Sequence, residues 1–171
     1  GSRTSTVAGA PAGRRRTVTT TSSRSPCQRP VHTVTAGAGV RERYEEAKAA
    51  GEYLYSHALQ ALAIETAEGA AEYLHRRIRE DWGFPDPPTL TMQERFTSRY
   101  RGKRYSFGYP ACPNLEDQTG IWKLLQPDEI GVQLTEGFMM EPEASVSALV
   151  FHHPDCAYFT AAEVGEPVET I

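Results

Sequence analysis

The residues best suited to binding chemistry lie in one stretch, residues 104–113, which reads Arg-Tyr-Ser-Phe-Gly-Tyr-Pro-Ala-Cys-Pro. Arg104 carries a planar set of donors that suits a carboxylate or a phosphate. Gly108 permits backbone angles that other residues avoid, and the prolines Pro110 and Pro113 restrict the chain around it. Flat faces for a ring or a methylated cation come from Tyr105, Phe107 and Tyr109. These residues indicate the rim of a pocket for an anionic, ring-bearing molecule; a proline-rich turn packed by its own aromatic side chains is the alternative.

Two other groups of residues have metal-ligand chemistry. Glu72 and His75 have the three-residue spacing used by two-metal helix bundles, but no second pair is available on a facing helix. His152, His153 and Cys156 lack a fourth zinc ligand, and adjacent histidines on a strand point to opposite faces. We therefore predict no metal site, and a metal-binding helical protein that uses Glu72 and His75 is a further alternative. Glu68 lies in an Ala- and Gly-rich part of the same helix, so we expect its carboxylate to face a specific partner.

Four helices are expected to position these residues, at about Arg41–Ala50, Glu52–Asp81, Thr91–Tyr100 and from Asn114 or Glu116 to Leu125. The long second helix carries two apolar stripes, which predicts that it is covered on more than one side. The proline cluster that follows Trp82 ends it. Thr91 with Glu94 three residues later is a capping-box pattern and marks the start of the third helix.

The last third of the chain has the alternating pattern of strands. Val132–Phe138 and Ser145–His152 alternate, Pro154-Asp155 suits a type I turn, and Cys156–Val164 returns with apolar residues. We expect a hairpin between the last two segments. The predicted fold class is α+β, with long helices followed by an antiparallel β-meander.

Composition divides the 171-residue chain into a tail and a body. Residues 1–39 hold six arginines and no acid, which leaves 12 of the 18 basic residues in the remainder against all 22 acidic ones. The tail has few large apolar groups, so we predict a disordered or linker-like segment at 1–39, in which Val31–Val34 is a possible short strand, and a domain at 40–171. The acidic body excludes nucleic acid as the main partner.

The three cysteines form no paired motif, which is typical of reduced thiols in a cytoplasmic protein. No apolar run is long enough to span a membrane, and no signal-peptide core follows the first arginines. The sequence also lacks the motifs of a nucleophile elbow, a phosphate-binding glycine loop or a dinucleotide fingerprint. Residue chemistry alone therefore indicates a ligand pocket without a catalytic apparatus.

Residues 104–113 resemble the R-x-x-x-G-Y-P-A-C-P signature of the activation domain of cobalamin-dependent methionine synthase. The helix segment Ala71–His75 followed by Trp82-Gly83 is similar to the long helix of that family. Similarity to its sheet is carried by Leu134–Glu136, Ala144–Ser147, His153–Asp155 and Tyr158. The resemblance runs in order from about Val40 to Val164.

The resemblance implies a domain that binds S-adenosylmethionine and reactivates the synthase. It implies that the domain docks over cobalamin held by a partner module, after the cofactor has been oxidised to cob(II)alamin. S-adenosylmethionine then methylates the cobalt while flavodoxin or a similar reductase supplies an electron. This is part of a methyltransferase activity in methionine biosynthesis. It requires mainly positioning, because the sulfonium is already a good leaving group.

The resemblance also assigns site residues. It places Arg104 on the ligand carboxylate, the backbone at Ser106 and Gly108 along the adenosyl part, and Tyr109 beside it. It places Tyr158 and Phe159 where they close the site. Glu68 matches a helix glutamate near the ligand.

The sequence departs from the family pattern at three places. Ser98 stands where an acidic residue is common, and Asn114–Gln118 replaces a His-Thr-Glu-Lys run. The N-terminal half of the family domain has no counterpart, so the resemblance predicts a fold truncated at its N-terminus. The alternative function is a non-catalytic docking module that has lost ligand binding.

Overall fold

The central element is a long helix whose small side chains recur every three or four residues. In the computed structural model, which describes residues 30–157, this helix α2 runs over Tyr53–Asp81. One stripe of it is buried: Ala63, Ala67, Ala71, Leu74 and Ile78. Alanine in that stripe lets the neighbouring sheet approach closely. The predicted long helix is confirmed.

The described residues contain three further helices, α1 (Val40–Ala49), α3 (Met92–Phe96) and α4 (Thr119–Leu125), of which α1 packs against α2 and α4 contacts β1. The capping box is confirmed, since the Thr91 side chain accepts from the Glu94 amide and the Glu94 carboxylate accepts from the Thr91 amide. Helix α3 is shorter than predicted because Ser98 adopts a left-handed φ of 54°. Short 3-10 turns flank α4 at Leu115–Gln118 and Pro127–Ile130.

Three strands form the main sheet: β1 (Val31–Thr35), β2 (Lys103–Ser106) and β5 (Ser145–Phe151). Their order is β1-β5-β2, and both pairings are antiparallel. A separate two-stranded ladder joins β3 (Gln133–Leu134) to β4 (Met140–Glu141). The α+β class is confirmed.

Strand β1 lies before residue 40, where the sequence predicted that the tail ends and the domain begins. Residues 31–35 pair with β5 from Val31 opposite Leu149 to Thr35 opposite Ser145, and His32 is fully buried. Residues 30–39 therefore belong to the fold and not to a linker-like tail. The short strand considered at Val31–Val34 is confirmed as β1, and its partner in the sheet lies more than a hundred residues away in sequence. Residues 1–29 lie outside the described residues.

The strand partners of β5 also differ from the predicted hairpin. Its two edges pair with β1 over Ser145–Leu149 and with β2 over Ala148–Phe151. The predicted hairpin would have placed the returning segment beside β5 instead. From Tyr158 onward that segment lies outside the described residues.

The sheet has a different neighbour on each face. On one face Val34, Val146 and Val150 pack against the buried stripe of α2. On the other, the Ser147 hydroxyl donates to the Gln118 side chain, which in turn donates to the Phe138 carbonyl at 2.9 Å. The sheet is thus the middle of three layers, and strand β2 brings the start of residues 104–113 against α2.

The second apolar stripe of α2 is not covered within residues 30–157. Leu54 is 85% exposed and Leu62 is 65% exposed. The prediction that both stripes are buried is therefore wrong for the described part of the chain. No helix in residues 30–157 combines the length and apolar character needed to cross a membrane.

Candidate functional site

Arg104 lies where strand β2 meets helix α2. It pairs opposite Val150 of β5, and strand alternation directs it toward the helix. Its Nη2 donates to Glu68 Oε2 at 3.1 Å, with 16% of the arginine side chain and 49% of the glutamate side chain exposed. The second nitrogen, Nη1, is buried and has no hydrogen-bond partner within residues 30–157. A guanidinium has five N–H donors, so Arg104 retains donors for a further anion.

The backbone folds into a tight turn directly after β2. The Gly108 amide donates to the Cys112 carbonyl and the Cys112 amide donates to the Tyr109 carbonyl, both at 2.8 Å. Gly108 has a φ of 83°, and a Cβ there would lie 3.1 Å from the Leu115 side chain. Tyr109 is 55% exposed. The turn therefore presents an exposed aromatic ring and a side-chain-free backbone position next to Arg104 in sequence.

Two buried histidines lie close enough to Arg104 for its charge to act on them. Burial, together with the positive charge of Arg104, lowers the pKa of His32 to about 3. Burial, with Arg79 as the next cause, lowers the pKa of His75 to about 2. Both rings are fully buried, and none of their nitrogens has a hydrogen-bond partner in the described residues. Both histidines are therefore neutral at physiological pH.

A second arginine network lies further along α2. Arg79 is fully buried and donates from Nε and Nη2 to the two carboxylate oxygens of Asp86, at 2.7 and 2.8 Å. Burial opposes ionisation of Asp86, but the hydrogen bonds and charge of Arg79 outweigh it and lower its pKa. The Arg79 guanidinium carbon also lies 3.7 Å from the centre of the Tyr100 ring. Sequence reasoning missed this pair, since the Pro-Asp-Pro-Pro run indicates only a helix stop.

Glu72 and His75, the two residues of α2 with metal-ligand spacing, both contact Tyr100. Glu72 Oε2 accepts a hydrogen bond of 2.8 Å from the Tyr100 hydroxyl. The His75 ring meets the Tyr100 ring edge-on at 5.2 Å. Within residues 30–157 no group of three or more His, Cys, Asp or Glu is placed to hold a metal ion. In the described fold both residues contact Tyr100.

The structure brings some of the predicted site residues together, and others lie outside the described residues. Arg104 and Glu68 are in direct contact, and Ser106 ends β2 opposite Ala148. Tyr158 and Phe159 lie outside the described residues. The last described residue, Ala157, accepts a hydrogen bond of 2.6 Å from the Tyr105 hydroxyl. Because neighbouring residues on a strand point to opposite faces, this bond lies on the face of the sheet turned away from α2 and Arg104.

Comparison with known proteins agrees with this geometry. The family model described as vitamin B12 dependent methionine synthase, activation domain, matches residues 26–168. Methionine synthases of Mycobacterium leprae and Mycobacterium tuberculosis are each 37% identical to the chain over 136 residues. The match covers 76% of this chain and 11% of each relative, so the chain spans about a tenth of the length of those curated relatives.

A solved structure gives the same assignment. The crystal structure of the MetH reactivation domain bound to AdoHcy is similar, with a TM-score of 0.73 and 36% sequence identity. The similarity covers 78% of this chain and 42% of that one. The family match spans most of the chain and includes β1, the helices, the Arg104 turn and β5. The chain therefore belongs to the family of activation domains of vitamin B12-dependent methionine synthase.

Proposed function

We propose that this chain binds S-adenosylmethionine and takes part in reactivating a cobalamin-dependent methionine synthase by reductive methylation. The observation that carries the proposal is Arg104, a largely buried guanidinium with one monodentate carboxylate contact, to the half-exposed Glu68. S-adenosylmethionine has an amino-acid carboxylate that suits such a fork. Support comes from the related reactivation domain, whose crystal structure contains AdoHcy.

The residues around Arg104 fit the two ends of such a ligand. The guanidinium binds the carboxylate, while the exposed Tyr109 ring offers a face to the adenine or the sulfonium. The backbone at Ser106 and Gly108 is proposed to run along the adenosyl part, while the side of Gly108 where a Cβ would stand is filled by Leu115, 3.1 Å away. Tyr158 and Phe159, which follow Ala157 in the chain, are proposed to close the site.

In the proposed reaction the main task of this chain is to orient the bound S-adenosylmethionine. S-adenosylmethionine supplies an electrophilic methyl group, and cobalamin held by a partner module is its acceptor. The departing sulfur becomes a neutral thioether, so the transfer needs no proton donor or base. We propose that Arg104 and Tyr109 fix the ligand so that its sulfonium faces the docked partner. Flavodoxin or a similar protein is the proposed electron donor, and the chain acts as one part of a methyltransferase.

Calorimetric titration with S-adenosylmethionine tests the proposal. We expect binding by the wild-type chain and a loss of at least about tenfold in affinity in Arg104→Ala, since a charged hydrogen-bonded pair is removed. Arg41→Ala is the matched control, because Arg41 forms an equally simple ion pair with Glu141 at 2.6 Å on the exposed surface of α1. Equal affinity in wild type and Arg104→Ala would contradict the assignment of Arg104.

The alternative is a docking module without a ligand. It is favoured by one observation, the Glu68 carboxylate that already partly neutralises Arg104. That alternative predicts no heat with S-adenosylmethionine, together with measurable association with the cobalamin-binding module of a methionine synthase. A pull-down of that module by the full chain distinguishes the two functions when it is combined with the titration.

A further inference from the structure

Helix α2 holds the segment that leads into β2 at two points one turn apart. Glu68 accepts from Arg104 at 3.1 Å, and Glu72 accepts from the Tyr100 hydroxyl at 2.8 Å. Residues four apart lie on the same face of a helix, so both contacts come from one side of α2. Helix α2 therefore sets the positions of both Tyr100 and Arg104, which pack against it.

Tyr100 is held on every side that the structure describes. Only 9% of it is exposed, and burial raises the pKa of its hydroxyl to about 12, so it remains a hydrogen-bond donor. The Arg79 guanidinium lies over its ring at 3.7 Å, and the His75 ring meets it edge-on at 5.2 Å. Arg79 in turn is fixed by Asp86. A side chain held in this way has little freedom to shift along the helix.

The segment between Tyr100 and Arg104 is stiff. The Lys103 ammonium donates to the carbonyls of Ser98, Tyr100 and Gly102 at 2.9, 3.0 and 3.1 Å, so one side chain links most of the segment. Gly102 has a φ of 76°, and a Cβ there would lie 2.5 Å from the Phe151 carbonyl. The backbone therefore passes directly against β5, and a displacement of Tyr100 is carried to Arg104.

We propose that Tyr100 is a positioning residue for Arg104. The bond from its hydroxyl to Glu72 fixes residues 98–103 on α2, and this sets the guanidinium where Glu68 engages one nitrogen and donors remain for a ligand carboxylate. The inference rests on the proposed function, because its consequence is measured as ligand affinity. It assigns the Glu72 carboxylate, which has metal-ligand spacing in the sequence, to holding the Arg104 segment.

The test uses two ligands that differ in the group that Arg104 recognises. S-adenosylhomocysteine has the amino-acid carboxylate, whereas 5′-methylthioadenosine has the same adenosyl thioether without it. We expect Tyr100→Phe in the full chain to bind S-adenosylhomocysteine about tenfold more weakly, the size expected for a hydrogen bond to a charged group. We expect its affinity for 5′-methylthioadenosine to stay at the wild-type value.

The result separates positioning from a general structural role. The inference would be overturned if Tyr100→Phe weakened the binding of both ligands equally, or of neither. Binding of S-adenosylhomocysteine by the wild-type chain would leave the proposed function intact in either case. Failure of the wild-type chain to bind S-adenosylhomocysteine would instead overturn the proposed function, and this inference with it. In the Arg104→Ala background, Tyr100→Phe should cause no further loss, because the residue acts through Arg104.

A second pair of variants leaves the tyrosine in place. Glu72→Gln keeps an acceptor for the Tyr100 hydroxyl and should retain most of the affinity for S-adenosylhomocysteine. Glu72→Ala removes the acceptor and should weaken it as Tyr100→Phe does. Equal affinities in Glu72→Gln and Glu72→Ala would overturn the inference even where Tyr100→Phe fails to fold.

Discussion

Arg79 and Arg104 are both held by carboxylates beside helix α2, but their surroundings differ. Arg79 is fully buried and makes two hydrogen bonds to Asp86, whose side chain is only 4% exposed. Arg104 makes one hydrogen bond, to a glutamate side chain that is 49% exposed. The first arrangement matches the fork of the guanidinium to a carboxylate within the fold, while the second leaves the fork largely unmatched. Arg79 therefore stabilises the fold through a buried partner that it contacts twice, whereas Arg104 keeps donors for the ligand proposed above.

The largest effect should follow from removing the partner of Arg79. We expect Asp86→Ala to lower the free energy of unfolding by about 3 kcal/mol, because the buried Arg79 loses its two hydrogen bonds to a carboxylate and keeps only the longer contact to Glu72 at 3.7 Å. Urea denaturation of the full chain measures this. Glu80→Ala is the control, since it removes a partly exposed ion pair with Arg76 from the same helix, and should cost less than about 1 kcal/mol. A similar loss of unfolding free energy in Asp86→Ala and Glu80→Ala would show that the buried ion pair is no more important for stability than the exposed one.

An intermediate effect should come from the neutral histidines between the two arginines. Their pKa values in the fold, about 3 for His32 and about 2 for His75, lie below the ordinary histidine value of about 6.5. The unfolded chain therefore binds protons that the folded chain does not as the pH falls below that value. Stability is fully present at higher pH, and we expect each histidine to lower it by about 1.4 kcal/mol per pH unit between roughly pH 6 and pH 4.

Thermal or urea unfolding at a series of pH values checks this slope. His75→Gln should make the dependence on pH shallower, because one titrating group has been removed. His153→Gln is the control, since that side chain is 66% exposed and pairs with the exposed Asp155. A slope in His75→Gln as steep as that of wild type would show that buried histidines do not govern acid stability.

The smallest effect should follow from removing the partner of Arg104. Glu68→Gln is expected to change the free energy of unfolding by less than about 1 kcal/mol, because the pair is partly hydrated and makes one contact. Urea denaturation under the conditions used for Asp86→Ala gives the comparison directly. A loss as large as that of Asp86→Ala would place Arg104 in the same structural class as Arg79.

Several features of the site followed from local sequence. The glycine and prolines of residues 104–113 predict a constrained turn, and Gly108 adopts the left-handed φ that glycine favours. The Thr91–Glu94 capping box formed as the pattern predicts. The expectation that Glu68 faces a specific partner is confirmed by its contact with Arg104. The turn and the capping box depend on groups only a few residues apart, whereas the contact between Glu68 and Arg104 joins residues 36 positions apart, and the identity of that partner did not follow from local sequence.

Other features did not follow from local sequence. The two apolar stripes of α2 have similar composition, yet Ala67 is buried while Leu54 is 85% exposed. Periodicity shows which residues share a helix face but does not show which face meets the sheet. Asp86 follows a helix stop in a proline-rich run, and nothing in that run indicates that it is the partner of Arg79.

Sequence alone was enough to predict the long helix, the capping box, the turn after Arg104 and the family resemblance, because hydrogen bonds between near neighbours and motif spacing encode them. The tertiary structure alone decided that Val31–Thr35 joins the sheet and that β5 lies between β1 and β2. It also decided that Glu72 holds Tyr100 rather than a metal ion in the described fold. These contacts join residues tens to more than a hundred positions apart, and such pairings are selected by the burial and hydrogen bonding of the whole fold rather than by local preference.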